Sequence, residues 1–304
     1  MIRVSVAPLP SAPRTLQVID EAGGVVVPLE EAEVLVWQTN SANGLAETVA
    51  AAPGLRWVQL TSAGVDWLLG SEVEPTGIIW TCAKGGAMGE NAAEHALLLV
   101  LAAARQLHSF VRARTWTGEA GRRLAGSRVG IIGGGGIGRS LATFLQPLGV
   151  DVAVVRRSSS PVEGAQRVVG PDSLDSVLEW SDFVVLATPL TRETRGFMDR
   201  RRLSLFKDDA WLVNVARGAL VCTDDLVAAL HAGDLGGAAL DVVDPEPLPA
   251  DHPLWQMSNV ILTPHVASTR EMAPHAVAAV LAENMQRWVR GLPLAGVVDP
   301  DRGY

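Results

Sequence analysis

RVGIIGGGGIG, residues 128–138, is the stretch from which the fold can be read. An apolar run at 129–132 leads directly into Gly133, Gly135 and Gly138 in Gly-x-Gly-x-x-Gly spacing. A helix-compatible run follows at 137–148. Strand, glycine turn and helix in that order are the context in which this spacing signals a dinucleotide-binding unit. Gly133 allows the tight turn, Gly135 lets the backbone approach a pyrophosphate, and Gly138 lets the helix pack closely on the strand. The free N–H groups of the opening helical turn, at Gly136 and Ile137, would hold phosphate charge together with the helix dipole. Four consecutive glycines, 133–136, also fit a flexible loop, because glycine adds chain entropy. The flanking strand and helix favour the nucleotide reading.

The next informative position is the end of the second strand, at 151–155. An acidic residue just past it would bind the ribose 2′-OH of NAD. This chain has Arg156, Arg157 and Ser158 there. A carboxylate would repel a 2′-phosphate, whereas a guanidinium can pair with it through two N–H bonds. The segment therefore favours NADP(H), with NAD(H) still possible. Plain solvated surface is the alternative for two arginines at a strand end.

The 304 residues fit two domains or one large one. With 48% hydrophobic and 19% charged residues, a sizeable core is easily built and disorder is disfavoured. The net charge of −8 and the isolation of the run Arg200, Arg201, Arg202 argue against nucleic-acid or anionic-membrane binding. The two cysteines, Cys82 and Cys222, lie far apart in no metal-type spacing, which suggests free thiols in a reducing compartment and no metal site. The amino terminus MIRVSVAPLP has no signal-peptide core, and the longest strongly apolar run, 96–104, is too short to span a bilayer. A cytoplasmic protein is the expectation.

Before the glycine turn, strands are expected at 34–37, 56–60 and 78–81, with a short helix at 46–52: a small α/β unit with a parallel sheet. The loop TSAGVD, 61–66, follows one of these strands. Gly64 and Val65 there could offer backbone N–H groups to a carboxylate, although a plain turn fits as well. Residues 89–108 read as one long helix buried between layers. His95, near its start, reads as a packed polar residue rather than a catalytic one. Beyond the glycine turn, helices are expected at 174–179, 200–206, 223–232 and 271–290, the third with Thr223 as N-cap and Gly233 as stop signal. Strands are expected at 182–187, 211–215, 238–242 and 260–263. Polar residues with chemistry recur just past strands: Thr188 beside Pro189, Arg217 after Val215, Asp241 and His265. In a parallel sheet such positions share one edge, beside the cofactor crevice.

Three residues suggest a reaction. His265 follows the last strand, Glu246 lies in the loop DPEPLP, and Arg217 follows WLVNVA. A histidine beside a carboxylate is a proton donor. An arginine can orient a carboxylate and polarise the adjacent carbonyl. A nicotinamide supplies hydride. These parts describe reduction of a 2-oxo acid to a 2-hydroxy acid. Taken singly, each residue also has a bland reading, as surface or as structural support.

AGVD at 63–66, GIIGGGGIG at 130–138, NVARGALV at 214–221, ALDVVDPEPLP at 239–249 and LTPHVAS at 262–268 stand in a recognisable order. Through them the chain resembles the D-isomer-specific 2-hydroxyacid dehydrogenase family over nearly its whole length. The resemblance implies Arg217 as substrate-orienting residue, Glu246 as the partner of the histidine, and His265 as acid/base at the cofactor. It also implies carboxylate binding at Gly64 and Val65 and cofactor contact at Thr188 and Asp241. The implied architecture is two Rossmann-like α/β domains with parallel sheets and an active site in the cleft between them. Residues 1–94 with 270–304 would form the substrate domain and 95–269 the dinucleotide domain. A homodimer formed through the nucleotide domain is implied as well. The segment RRSSSP and the ending VVDPDRGY look most like the bacterial NADPH-preferring glyoxylate/hydroxypyruvate reductases. A reductase of bulkier 2-oxo acids and a non-catalytic NAD(P)H-sensing module stay open. Trp37, Trp67 and Trp116 are candidates to line the pocket, and Lys84 is a candidate charge near it.

Overall fold

The computed structural model describes residues 1–68, 77–116, 118–269 and 271–299. The chain forms two compact units, Met1–Met88 with Thr269–Tyr304, and Gly89–Ser268. The first division falls in the opening turn of a continuous helix, where no change of composition marks it.

The smaller unit holds strands β1 (Ile2–Ala7), β2 (Gly24–Val26), β3 (Val34–Trp37), β4 (Trp57–Leu60) and β5 (Ile79–Thr81). All pair in parallel, in the order β2-β1-β3-β4-β5. Successive side chains of a strand point to opposite faces. Val34 and Val36 of β3 accordingly meet Val18 and Ile19, which lie in helix α1 (Pro13–Glu21). Leu35 and Trp37 join Leu45 of helix α2 (Leu45–Ala50). A sheet covered on both faces needs unbroken apolar strands, as VLVW is. Trp37 is thus a core residue, 3% exposed, and does not line a pocket.

The larger unit continues with α3 (Gly86–Ala104), α4 (Leu107–Phe110), β6 (Arg128–Ile132), α5 (Gly136–Leu145), β7 (Asp151–Val155) and β8 (Arg167–Val169). Then come α6 (Leu174–Trp180), β9 (Phe183–Leu186), α7 (Arg200–Leu203), β10 (Trp211–Asn214), α8 (Thr223–Ala232), β11 (Gly237–Leu240) and β12 (Val260–Leu262). The last helix, α9 (Ala273–Val289), returns to the smaller unit, where Leu281 and Met285 pack on the β3 face that carries Val34 and Val36. The seven strands of the larger unit are parallel in the order β12-β11-β10-β9-β6-β7-β8. Phe183 and Val185 pack with α3 and α5 on one face, Val184 and Leu186 with α6 and α8 on the other. Both sheets are therefore doubly wound, as the sequence led one to expect. In the larger one the strand order reverses between β6 and β9, the point where open α/β sheets bind ligands.

Three local expectations are corrected. The long helix of 89–108 ends at Ala104, because Gln106 turns into the left-handed region at φ 53°, and a separate turn of helix follows. Nor is that helix buried all round: Leu98 is 52% exposed. Thr223 does not cap α8; the N-cap is Cys222, and the Thr223 hydroxyl instead donates to the Asp244 carbonyl at 2.7 Å.

Candidate active site

The turn after β6 is shaped by missing side chains. Gly133 has φ +119°, and a Cβ on it would lie 2.3 Å from the Ala187 carbonyl oxygen. A Cβ on Gly138 would lie 1.9 Å from the Gly133 carbonyl oxygen. Both distances are far inside van der Waals contact, so strand, turn and helix can approach this closely only with glycine. Around Gly135, by contrast, there is open space. Gly135 is the N-cap of α5 and brings no capping side chain, which leaves the helix-opening amides, those of Gly136 and Ile137 among them, for an outside acceptor. Gly136 also meets α3: a Cβ on Gly89 would lie 2.8 Å from its carbonyl carbon.

At the end of β7, the side chain of Arg156 is half-buried and lies over Gly134. Arg157 is more exposed and pairs with Glu193 at 3.9 Å. The Ser158 hydroxyl accepts from the Ser160 amide at 3.2 Å and meets the Ser160 hydroxyl at 2.9 Å, fixing that turn. Thr188 and exposed Pro189 follow β9, next to the glycine turn, where the Ala187 amide donates to the Ile132 carbonyl at 2.8 Å.

Arg217, Glu246 and His265 come from the loops after β10, β11 and β12, three adjacent strands. The turn at Arg217 is organised by buried Asn214. Its Oδ1 accepts from the Ala216 amide at 3.1 Å, and its Nδ2 donates to the Arg217 carbonyl at 2.8 Å. Arg217 itself has extended backbone and donates from Nη1 to the Ala216 carbonyl. Val215 is buried beside it. Glu246 and His265 meet directly, Nδ1 to Oε1 at 2.5 Å, both partly open to solvent. The carboxylate acceptor requires the hydrogen on Nδ1 in the neutral ring.

His265 stands at φ 53°, an uncommon conformation for a non-glycine residue that persists only when its surroundings impose it. Asp241 imposes it. The Asp241 carbonyl accepts from the His265 amide at 2.8 Å. Its carboxylate is fully buried and accepts from the Val266 amide at 2.9 Å, the Ala267 amide at 3.0 Å and the Thr263 hydroxyl at 2.6 Å. His95 of α3 completes the set, with Nε2 3.2 Å from Asp241 Oδ1 and 3.0 Å from Thr263 Oγ1. Burial alone would raise the Asp241 carboxyl, but the bonds from His95, Thr263, Val266 and Ala267 outweigh it and hold it down at about 2. His95 and Thr263 belong to this network and were not picked out as site residues in the sequence. The available signal was a lone histidine in an otherwise apolar helical run.

In the smaller unit, the loop after β4 carries Gly64 and Val65. Their amides find no acceptor among the described residues, while Val65 anchors the loop with a side chain that is 2% exposed. The Trp67 indole donates to the Ser62 hydroxyl at 3.2 Å and the Gly64 carbonyl at 3.1 Å, so it braces this loop. Lys84 donates to the Val297 carbonyl at 2.8 Å. Trp116, in the larger unit, is fully exposed. Among the described residues no cluster of His, Cys, Asp or Glu could hold a metal ion, and no helix is long and apolar enough to cross a membrane.

Comparison with known proteins agrees with this geometry. Residues 95–267 match the model of the D-isomer specific 2-hydroxyacid dehydrogenase, NAD binding domain. Glyoxylate/hydroxypyruvate reductase A of Klebsiella pneumoniae (strain 342) is 34% identical over 258 residues, 82% of this chain and 82% of its own. A D-isomer specific 2-hydroxyacid dehydrogenase from Xanthobacter autotrophicus Py2, solved with NADPH and MES, superposes with a TM-score of 0.88 at 33% identity, covering 100% of this chain and 99% of that one. The NADPH-dependent glyoxylate/hydroxypyruvate reductase of Sinorhizobium meliloti, solved with NADP and sulfate, superposes with a TM-score of 0.86 at 27% identity, over 100% of both chains. This chain belongs to the D-isomer-specific 2-hydroxyacid dehydrogenase family.

Proposed function

We propose that this NAD(P)-dependent oxidoreductase prefers NADP(H) and reduces a small 2-oxo acid, of the glyoxylate or hydroxypyruvate class, to the D-2-hydroxy acid. The observation that carries the reading is the 2.5 Å contact of His265 with Glu246 at the carboxyl edge of the larger sheet. The glycine turn at the strand-order reversal of that sheet fits a dinucleotide: no Cβ can be placed at Gly133 or Gly138, and Gly135 borders open space for a pyrophosphate. Thr188, Pro189 and the Val215 backbone lie past the neighbouring strands and are assigned to the cofactor. Arg156, Arg157 and Ser158 are assigned to the 2′-phosphate. The reductase names of the Klebsiella and Sinorhizobium relatives support the substrate class, and the NADPH and NADP in the solved neighbours support the cofactor.

A bound nicotinamide supplies the hydride. Protonated on both ring nitrogens, His265 keeps Nδ1–H on Glu246 and gives its Nε2 proton to the substrate carbonyl oxygen as that oxygen becomes a hydroxyl, which leaves the neutral ring with Nδ1–H. Arg217 pairs with the substrate carboxylate and polarises the carbonyl. The Gly64 and Val65 amides are assigned to the carboxylate. Asp241 is assigned to the cofactor edge through the His265 loop that its buried carboxylate anchors. A homodimer through the larger unit is also proposed. Leu98, Leu107, Phe110, Val111 and Trp116 are exposed apolar side chains along one stretch of it, the kind of surface that marks an interface. A solution mass of twice the 32.1 kDa chain is expected, and a single-chain mass would end that assignment.

The test is oxidation of NADPH and NADH in parallel with glyoxylate, hydroxypyruvate, pyruvate and phenylpyruvate. Fast NADPH oxidation with the two small acids is expected. Turnover confined to phenylpyruvate would move the substrate class to bulky 2-oxo acids. Tight NADPH binding with no turnover of any acid would sink the reductase reading in favour of a binding module.

A further inference from the structure

We infer that Gly134 is a specificity-determining residue: its missing side chain is what lets Arg156 lie across the glycine turn, in position for a 2′-phosphate. The inference rests on the NADP(H) reading above. The motif spacing asks for glycine at 133, 135 and 138, not at 134 or 136. The Gly136 backbone lies against α3 and accounts for glycine at 89. Gly134 is accounted for by Arg156. A Cβ on Gly134 would lie 2.6 Å from Arg156 Cδ, 3.0 Å from Nε and 3.2 Å from Val154 Cγ1. The aliphatic stem of Arg156 therefore runs over bare backbone, with Val154 beside it. A methyl group at 134 leaves no room for that path, and the guanidinium has to swing elsewhere.

Two further observations single out Arg156 rather than its neighbour. Its side chain makes no hydrogen bond or ion pair among the described residues, so packing and not a partner sets its direction. Arg157 is 54% exposed and pairs with Glu193. A guanidinium held by its stem and without a partner is preorganised for an incoming dianion, which loses less side-chain freedom on binding. Gly134 also lacks the positive φ of Gly133, so its backbone accepts an L side chain. Gly134→Ala therefore tests space alone and leaves the turn conformation intact.

The experiment is equilibrium titration of protein fluorescence with NADPH and with NADH, for wild type, Gly134→Ala, Arg156→Ala and the double variant. Gly134→Ala should weaken NADPH about tenfold, the loss of one charge-assisted contact, and change NADH less than about twofold. The double variant should match Arg156→Ala, because the clashing stem is gone. Equal loss of both cofactors in Gly134→Ala, an unchanged NADPH affinity, or additive losses in the double variant would each overturn the inference. If Gly134→Ala fails to fold, the double variant decides: it should fold and bind NADH like Arg156→Ala, and its failure to do so would mean that the clash is not with Arg156. An unchanged NADPH-to-NADH ratio in Arg156→Ala would instead refute the NADP(H) reading itself. That outcome is distinguishable from a silent Gly134→Ala beside an effective Arg156→Ala.

Discussion

After β6 the chain turns on glycines; after β12, at the same edge of the same sheet, it turns on a histidine. The first turn owes its shape to atoms that are absent, with a carbonyl 1.9 Å from where a Cβ of Gly138 would stand. The second owes its shape to hydrogen bonds that over-determine it, most of them ending on the carboxylate or carbonyl of Asp241. The difference fits what each turn is proposed to hold. A phosphate is bound by backbone amides, and side chains would only obstruct it. His265, the proposed proton donor, has a strained φ of 53° that a buried anion supports.

The comparison can be broken from either side. The largest effect is expected at the histidine itself. His265→Asn keeps a residue that tolerates the left-handed region, yet turnover should fall about 10²–10⁴-fold with NADPH affinity kept. Normal turnover, read as cofactor oxidation, would remove His265 from the proton-donating role. On the glycine side, Gly138→Ala places a methyl group against the Gly133 carbonyl and should cost about 3 kcal/mol by overpacking. An unshifted urea midpoint would mean that the turn yields and that its tightness is incidental.

A subtler effect separates the two turns by pH. The Asp241 carboxyl is lowered from 3.8 to about 2, so the folded chain binds this proton less readily than the unfolded chain. Its contribution of about 2 kcal/mol is present in full above pH 3.8 and fades as pH falls through 2. Asp241→Asn should therefore lower the thermal midpoint near neutral pH and lose that deficit in strong acid. It should also slow turnover, because the His265 loop loses its anchor. A deficit independent of pH would show that the charge is not what holds the loop. Gly138→Ala involves no titrating group and should show no such pH dependence.

The glycine turn was legible in the sequence because its information is local: spacing, a preceding apolar run and a following helix all lie within twenty residues. For the same reason the arginine pair after β7 could be read directly. The histidine loop was legible only in part. His265 and Glu246 could be named, but their 2.5 Å contact joins residues 19 apart in sequence. The support behind them joins residues further apart still, His95 to Asp241 and Thr263. No periodicity carries such pairings.

The sequence by itself determined the parallel α/β class, the glycine turn and the list of chemical groups, because strand alternation, glycine spacing and residue chemistry are properties of short segments. The tertiary structure alone decided that Asp241 is a buried, bonded anion that shapes the His265 loop. It also decided that His95 is its partner and that Gly134 makes room for Arg156. Those are statements about which atoms meet across β6, β7, β11, β12 and α3, and strand pairing and helix packing, not sequence neighbourhood, bring them together.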